Sequence, residues 1–324
     1  METQAIAMEG AVNRVRTSAR TLDVTVLLGG PSSERDVSLV SGSAVADGLE
    51  RAGHCVRRAD ISPSDTRALD REGIDVVFPV LHGPFGESGE VQELCERRGL
   101  RYVGSGPRAS WLGMDKVTAK EIFRQAGLAT PDWVVVQEAD STVGGPADLA
   151  GIGLPCVLKP VDGGSSVDVT IARNVAARNE ALDDLLGRYS RALVEAFIAG
   201  REFTVGILGE QALPVLEIIP AREFYDKIAK YQDGAGTRYV FDHGLAPQAA
   251  RAMQEAALTA HRSLGCRDMS RVDFILDDQG VPYVLELNTI PGFTSHSLLP
   301  MAAKQAGIGF DQLVDRLVTM AMER

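Results

Sequence analysis

Two stretches late in the chain alternate apolar and polar positions with period two, the spacing that sends successive side chains to opposite faces of a strand. They are Arg271-Val-Asp-Phe-Ile-Leu276 and Pro282-Tyr-Val-Leu-Glu-Leu-Asn288, separated by a turn signal that ends in Gln279-Gly280. The expected connection is a hairpin with Gln279-Gly280 as its two-residue turn. That register sets Asp273 opposite Glu286 and Arg271 opposite Asn288, so four polar side chains share one face. Two carboxylates, an amide oxygen and a guanidinium on one face suit Mg²⁺ held against phosphate oxygens, with the arginine meeting an anion bidentately. A surface hairpin with ion pairs from Arg271 to Glu286 or Asp273 has the same pattern. The run that follows, Asn288 to Pro300, is polar and small where the strand ends, as site-bearing loops are.

Upstream, the short apolar run Val24–Leu28 reads as a strand, as do His54–Ile61, Asp75–Leu81 and Leu100–Val103. Helix-period segments lie between them, SLVSGSAVADGLERAG and EVQELCERRG. Strands alternating with helices predict a parallel, Rossmann-like open sheet, whose ligands gather at the carboxyl ends of the strands. The loops carrying Glu34 and His82 follow two such ends. No G-x-G-x-x-G with a later acidic residue is present, so a dinucleotide role has no support.

A helix over Met114–Ala126 starts a new unit. Strands follow at Trp133–Val136, Pro155–Pro160 and Val169–Ala172, with ADSTVGGPADLAGIG between the first two as loop or short helix. A helix spans Ala176–Tyr189, and strands return at Arg191–Ile198, Arg201–Leu208 and Leu213–Ile219. Gly163-Gly164-Ser165-Ser166 joins two strands, unlike a Walker A loop, which precedes a helix. Its amides and serines suit phosphate, although such a sequence is also an ordinary flexible turn. Pro220 to Pro247 is long and polar, a length that is usually functional or disordered. Its tyrosines, 225, 231 and 239, argue against disorder. Helices are expected at Pro247–Leu264 and Phe310–Met322.

The 324 residues suggest two or three domains. The net charge of −11 argues against a nucleic-acid or anionic membrane partner, so an anionic ligand would need a locally basic or metal-bearing site. Four scattered cysteines, never at C-x-x-C spacing, favour free thiols and a reducing, cytoplasmic setting. No apolar run approaches membrane-spanning length. Residues 1–20 carry Arg14, Arg16 and Arg20 but no apolar h-region, which reads as a loose extension rather than a secretory signal.

Taken together, GGPSSERDVS, HGPFGESGEVQ, YVGSG with MDK, LKPVDGGSSV, VEAFIAGREFTV, EFYDKIAKY, SRVDF and LELNTIPGFTSHSLLPMAA form an ordered set. The set resembles the D-alanine–D-alanine ligase family over about residues 22–322, and its last member is the most specific. The resemblance implies an α/β ATP-grasp fold of three subdomains: a Rossmann-like open sheet (22–115) and two α+β subdomains (116–209 and 210–324) gripping ATP. It implies phosphorylation of one D-alanine by ATP and attack of the second amine on the acyl phosphate. Such chemistry needs metal and cations on the transferring phosphoryl group and an oxyanion hole.

Several assignments rest on that resemblance alone. Asp273, Glu286 and Asn288 would hold two Mg²⁺ (or Mn²⁺). Lys116, Lys159, Ser166 and Lys230 would meet the phosphates; without the family the lysines are ordinary surface residues. Glu195 and the backbone of Ala196 to Ile198 would read adenine, and Glu202 the ribose. Glu34, with His82 nearby, would hold the first D-alanine, and Ser297 and the backbone of Leu298 the second. Arg271 and Gly292 would form the oxyanion hole. Tyr231 and Ser165 would link to Glu34. A homodimer is expected. Asp168 departs from the family pattern, which has glycine there, as do Lys227 and Phe241-Asp242-His243.

Overall fold

The computed structural model describes residues 20–137, 149, 151–164, 167–221, 236–294 and 296–324. The first unit is built on three parallel strands in the order β2-β1-β3: β1 (Asp23–Leu28), β2 (Cys55–Asp60) and β3 (Val76–Pro79). Helix α1 (Arg35–Arg51) makes the crossover, as parallel pairing requires. Helices α2 (Pro84–Glu87) and α3 (Glu90–Arg97) follow β3. The strand expected at Leu100–Val103 is reduced to one parallel bridge, Val77 to Tyr102. The chain turns out of the sheet at Gly104, at φ 99°, and the Gly104 N–H donates to Asp268 Oδ2 at 2.7 Å. The backbone group that would extend the ladder has another partner.

Helices α4 (Pro107–Met114) and α5 (Lys116–Gln125) come next. Asp115 separates them, extended at ψ 101°, and its carboxylate accepts the Thr118 N–H at 2.8 Å as the cap of α5. The helix expected over Met114–Ala126 is α5, and it was expected to open the central unit. Instead Leu112, Ala119 and Phe123 pack with Phe203, Val272 and Phe274, the core of the C-terminal sheet.

The chain then leaves that core for an antiparallel sheet of order β4-β7-β5-β6. Its elements are β4 (Trp133–Gln137), β5 (Cys156–Pro160), β6 (Thr170–Ala172), α6 (Val175–Leu186) and β7 (Arg191–Ala196). It has a separate core, with Leu158, Leu182, Leu185 and Val194 among its members. Trp133 pairs with Glu195 and the Ala196 N–H donates to Asp132, so the excursion begins and ends at one place. The segment expected as loop or short helix after β4 lies largely outside the described residues.

The third sheet is antiparallel, of order β11-β10-β8-β12-β13, with β9 beside β8. It contains β8 (Arg201–Leu208), β9 (Gln211–Ala212), β10 (Leu216–Ile219), β11 (Arg238–Val240), β12 (Met269–Leu276) and β13 (Pro282–Asn288). Helix α7 (Pro247–Leu264) follows β11 and covers one face with Met253, Ala257 and Leu264. The expected boundary at 209 put β8 in the central unit, yet every residue of β8 pairs with β12. Helices α8 (Leu298–Gln305) and α9 (Phe310–Met322) fold back so that Leu299, Leu313 and Leu317 share a core with Val24 and Phe78 of the first sheet. Among the described residues no helix is long and apolar enough to cross a membrane.

Candidate active site

The β12–β13 hairpin pairs as expected, Asp273 with Glu286 and Arg271 with Asn288, but its turn does not. The loop runs from Asp277 to Val281, tied by Asp277 Oδ1, which accepts the N–H groups of Gln279 and Val281. The register then shifts between Asp273 and Phe274. This bulge restores the pairing that a two-residue turn would have produced, and it also sets the faces. Val284 and Leu287, three apart, are both in the core, while Leu285 and Glu286 between them both border open space. With strict alternation Glu286 would follow Val284 into the core; one extra residue turns it outward.

Two hollows meet over this hairpin. The first encloses about 960 Å³, counting space open to solvent, and is bordered by Glu34, His82, Arg271, Asn288, Gly292, Ser297 and Leu298. The second encloses about 1010 Å³ on the same count and is bordered by Lys159, Glu195, Ala196, Ile198, Glu202 and Asp273. Lys116, Gly163, Gly164 and Glu286 face both. Side chains far apart in sequence thus converge. Ser165, Ser166, Lys230 and Tyr231 lie outside the described residues.

Arg271 Nε and Nη2 donate to Asp273 Oδ1 and Oδ2 at 2.9 and 2.8 Å, along their own strand rather than across it. Thr204 Oγ1 adds a third bond to Asp273 at 2.7 Å. The two charged side chains are only 13% and 11% exposed, so this is no surface pair. Asn288 Oδ1 accepts the Ile290 N–H at 2.9 Å, which fixes the start of the following loop. Among the described residues of the hairpin, Glu286 adds a second carboxylate beside this one guanidinium. Among the described residues no three His, Cys, Asp or Glu cluster as a metal site. Two carboxylates and an amide oxygen still fit a hard cation that takes its remaining ligands from phosphate and water, as Mg²⁺ does.

In the loop after β13 the Thr294 N–H donates to Ser297 Oγ at 2.9 Å. A Cβ on Gly292 would come 2.7 Å from that oxygen, so glycine keeps this approach open. Ser297 precedes α8, whose first amides and dipole favour an anion. On the opposite side Glu34 stands at the start of α1 and His82 after β3, both buried. His82 Nε2 is buried without a hydrogen-bond partner. Burial lowers the His82 pKa, Glu34 opposes that shift and Arg271 adds to it, so the ring is neutral at pH 7.

Two residues of this region were not singled out from the sequence. Glu87 accepts the Gly83 N–H at 2.6 Å, and its carboxyl is pushed up to about 8 by burial and the neighbouring Glu34. It stands in the HGPFGE segment already marked by His82. Lys120 lies one helical turn after Lys116 on α5, on the same face. Its ammonium is 2.8 Å from Glu195 Oε1, and that of Lys159 is 2.7 Å from Glu195 Oε2. Glu195 is therefore a buried carboxylate between two lysines rather than a solvated strand end. Lys116 and Lys159 are buried too, and Lys116 Nζ donates to the Gly163 carbonyl.

Asp168, at φ 58°, occupies the backbone conformation that explains a glycine at this position. Its Oδ2 accepts from the Tyr189 hydroxyl at 2.6 Å and pairs with Arg188 at 2.7 Å, beyond the end of α6.

Residues 56–105 match the family model described as D-ala D-ala ligase N-terminus, and residues 122–319 the one described as D-ala D-ala ligase C-terminus. The chain is 43% identical to a D-alanine–D-alanine ligase of Anaeromyxobacter sp. (strain K) over 91% of its length and 95% of the relative. It is 42% identical to one from Gloeobacter violaceus, over 93% and 99%. Among solved structures, D-alanine–D-alanine ligase from Bacillus anthracis complexed with ATP superposes with a TM-score of 0.80 at 30% identity, covering 94% of this chain and 98% of that one. The VanG D-Ala:D-Ser ligase of Enterococcus faecalis gives 0.82 at 28% identity, covering 93% and 100%. Family models across most of the chain, and relatives matched nearly end to end, lead to one conclusion: this chain belongs to the D-alanine–D-alanine ligase family.

Proposed function

We propose that the chain joins two D-alanine molecules into D-alanyl-D-alanine for peptidoglycan precursor synthesis, converting ATP to ADP and phosphate. The observation that carries this reading is the adjacency of the two hollows, one walled by lysines and one by Glu34, Arg271 and Ser297, with Glu286 facing both. A carboxylate is a poor electrophile, so it must be activated before an amine can attack it. In this reading the second hollow takes ATP. Lys116 and Lys159 meet its phosphates, Glu195 with the backbone of Ala196 to Ile198 meets the base, and Glu202 the ribose. Lys230 and Ser166 complete the phosphate contacts.

Asp273, Glu286 and Asn288 would hold two Mg²⁺ or Mn²⁺ ions, which when bound neutralise charge on the transferring phosphoryl group. The first hollow takes the amino acids. Glu34 holds the first ammonium beside neutral His82, and Ser297 with the Leu298 N–H holds the second carboxylate. Arg271 and the Gly292 N–H receive the oxyanion of the tetrahedral intermediate. Ser165 and Tyr231 connect to Glu34 and help exclude water from the acyl phosphate. Three units, a homodimer and a cytoplasmic location belong to the same reading.

The fold matches a D-Ala:D-Ser ligase as closely as D-Ala:D-Ala ligases, so the second substrate needs its own test. The protein is incubated with ATP, Mg²⁺ and a mixture of D-alanine, D-serine and D-lactate, and products are identified by mass. D-Alanyl-D-alanine formed with equimolar ADP is the expected result. A main product containing D-serine or D-lactate overturns the substrate assignment, and ADP without any ligated product overturns the ligase.

A further inference from the structure

Lys120 never reaches the hollow that its partner Glu195 borders. It sits behind that carboxylate, 1% exposed, on the side away from the open space. Besides Glu195, its ammonium donates to Thr130 Oγ1 at 2.7 Å, and that hydroxyl donates in turn to the Val284 carbonyl at 2.8 Å. The Trp133 ring centroid lies 5.1 Å from the ammonium. A lysine buried this deeply is costly unless paired. The pair therefore has to be explained by what Glu195 does.

Glu195 has two cationic partners that differ in one respect. Lys159 borders the hollow together with Glu195, and Lys120 does not. A polyanion entering the hollow competes for Lys159 and cannot reach Lys120. Without Lys120, a bound nucleotide would leave a buried carboxylate short of a counter-charge and free to take a proton or swing away. With it, Glu195 stays ionised and pointed at the base end of the hollow.

We propose that Lys120 is a positioning residue for the nucleotide, keeping Glu195 ionised and aimed once Lys159 engages phosphate. The proposal rests on ATP occupying the second hollow. The groups that face Lys120 are Glu195 on β7, Lys159 on β5 and Arg124 on α5 itself. Burial, Lys159 and Arg124 lower its pKa, Glu195 opposes them, and the balance stands at about 8. Its charge, and hence its hold on Glu195, weakens as pH rises through that value.

The test compares wild type, Lys120→Met and Lys120→Arg by steady-state kinetics from pH 6.5 to 9.5, with ATP affinity measured by calorimetry. Lys120→Met is expected to raise KM for ATP about tenfold, the loss of one charge-assisted hydrogen bond, with kcat within about twofold of wild type. Wild-type KM should rise above about pH 8, and in Lys120→Arg, whose charge persists, that rise should vanish. Equal loss in kcat and KM, or an unchanged KM in a folded Lys120→Met, overturns the proposal. If Lys120→Met does not fold, the arginine variant decides: a pH profile the same as wild type overturns it. Absence of ATP binding by wild type would instead overturn the nucleotide reading itself.

Discussion

The two walls of the second hollow carry charge in opposite ways. On one side, Lys159 of the central sheet and Lys120 of α5 enclose the Glu195 carboxylate, Lys116 lies close by, and regularly paired strands hold β5 and β7 together. On the hairpin, one guanidinium serves Asp273 and a second carboxylate, Glu286, stands beside it, on strands broken by a bulge. The first wall has cation in excess and the second anion in excess. A polyanion with divalent cations satisfies both at once, the polyanion toward the lysines and the metal toward the carboxylates. The hollow lies between these two opposed sets of charges.

The largest effect should come from removing the excess on the hairpin side. Glu286→Gln is expected to keep the fold by circular dichroism and to lose at least about 100-fold in turnover. A folded variant releasing ADP at a near-normal rate would mean that the hairpin wall is not where the metal acts. Arg271→Met breaks the same wall from its cationic side. It takes the guanidinium away from the buried Asp273 carboxylate, and stability should fall by about 3 kcal/mol in urea unfolding. Adding Asp273→Asn should restore much of that stability and none of the turnover. Restored turnover would show that the pair is structural only.

A third experiment asks how a buried polar group packed behind the same sheet responds to acid. His261 on α7 is 2% exposed, bonded to Ser270 at 2.7 Å, and burial brings its pKa down to about 4. The unfolded chain takes up this proton near pH 6.5 and the folded one only near 4, so stability is lost as pH falls between these values. The expected slope from this group is about 1.4 kcal/mol per pH unit, and His261→Gln should remove it. An unchanged slope in the variant would assign the acid sensitivity elsewhere. The smallest effect is expected at the glycine loop. The Asp168 charge is already met by Arg188 and Tyr189, so Asp168→Gly should change KM for ATP by less than about twofold. A clear drop in KM would show that this carboxylate opposes the triphosphate after all.

The hairpin shows what the sequence made legible and how. Period-two alternation and a turn signal were enough to pair Asp273 with Glu286. The pairing came out right although the connection has five residues, because the bulge absorbs the difference. Leu285, the extra residue, is apolar and lies between apolar Val284 and polar Glu286, so the sequence still reads as plain alternation and carries no sign of a bulge. The buried lysines were less legible. Lys116, Lys120 and Lys159 look like surface residues until three elements place a carboxylate among them. Helix α4 was missed because its eight residues follow Gly106, begin with Pro107 and carry Gly113 near the other end, too short a run to show a helical period. β8 was placed in the central unit because its full-length partner, β12, lies more than sixty residues further along the chain.

The route of the chain through its cores has a consequence for cooperativity. Residues 133–196 leave and re-enter through one strand pair and carry their own apolar interior. Such a segment is able to open as a foldon while the hairpin sheet stays intact. What binds it to the rest includes the polar seam of Lys120, Glu195 and Lys159, where a nucleotide would dock. A ligand held between Lys159 and Glu195 on one side and Lys116 and Asp273 on the other acts as a staple between two cooperative units. Amide hydrogen exchange should then slow most in the central sheet.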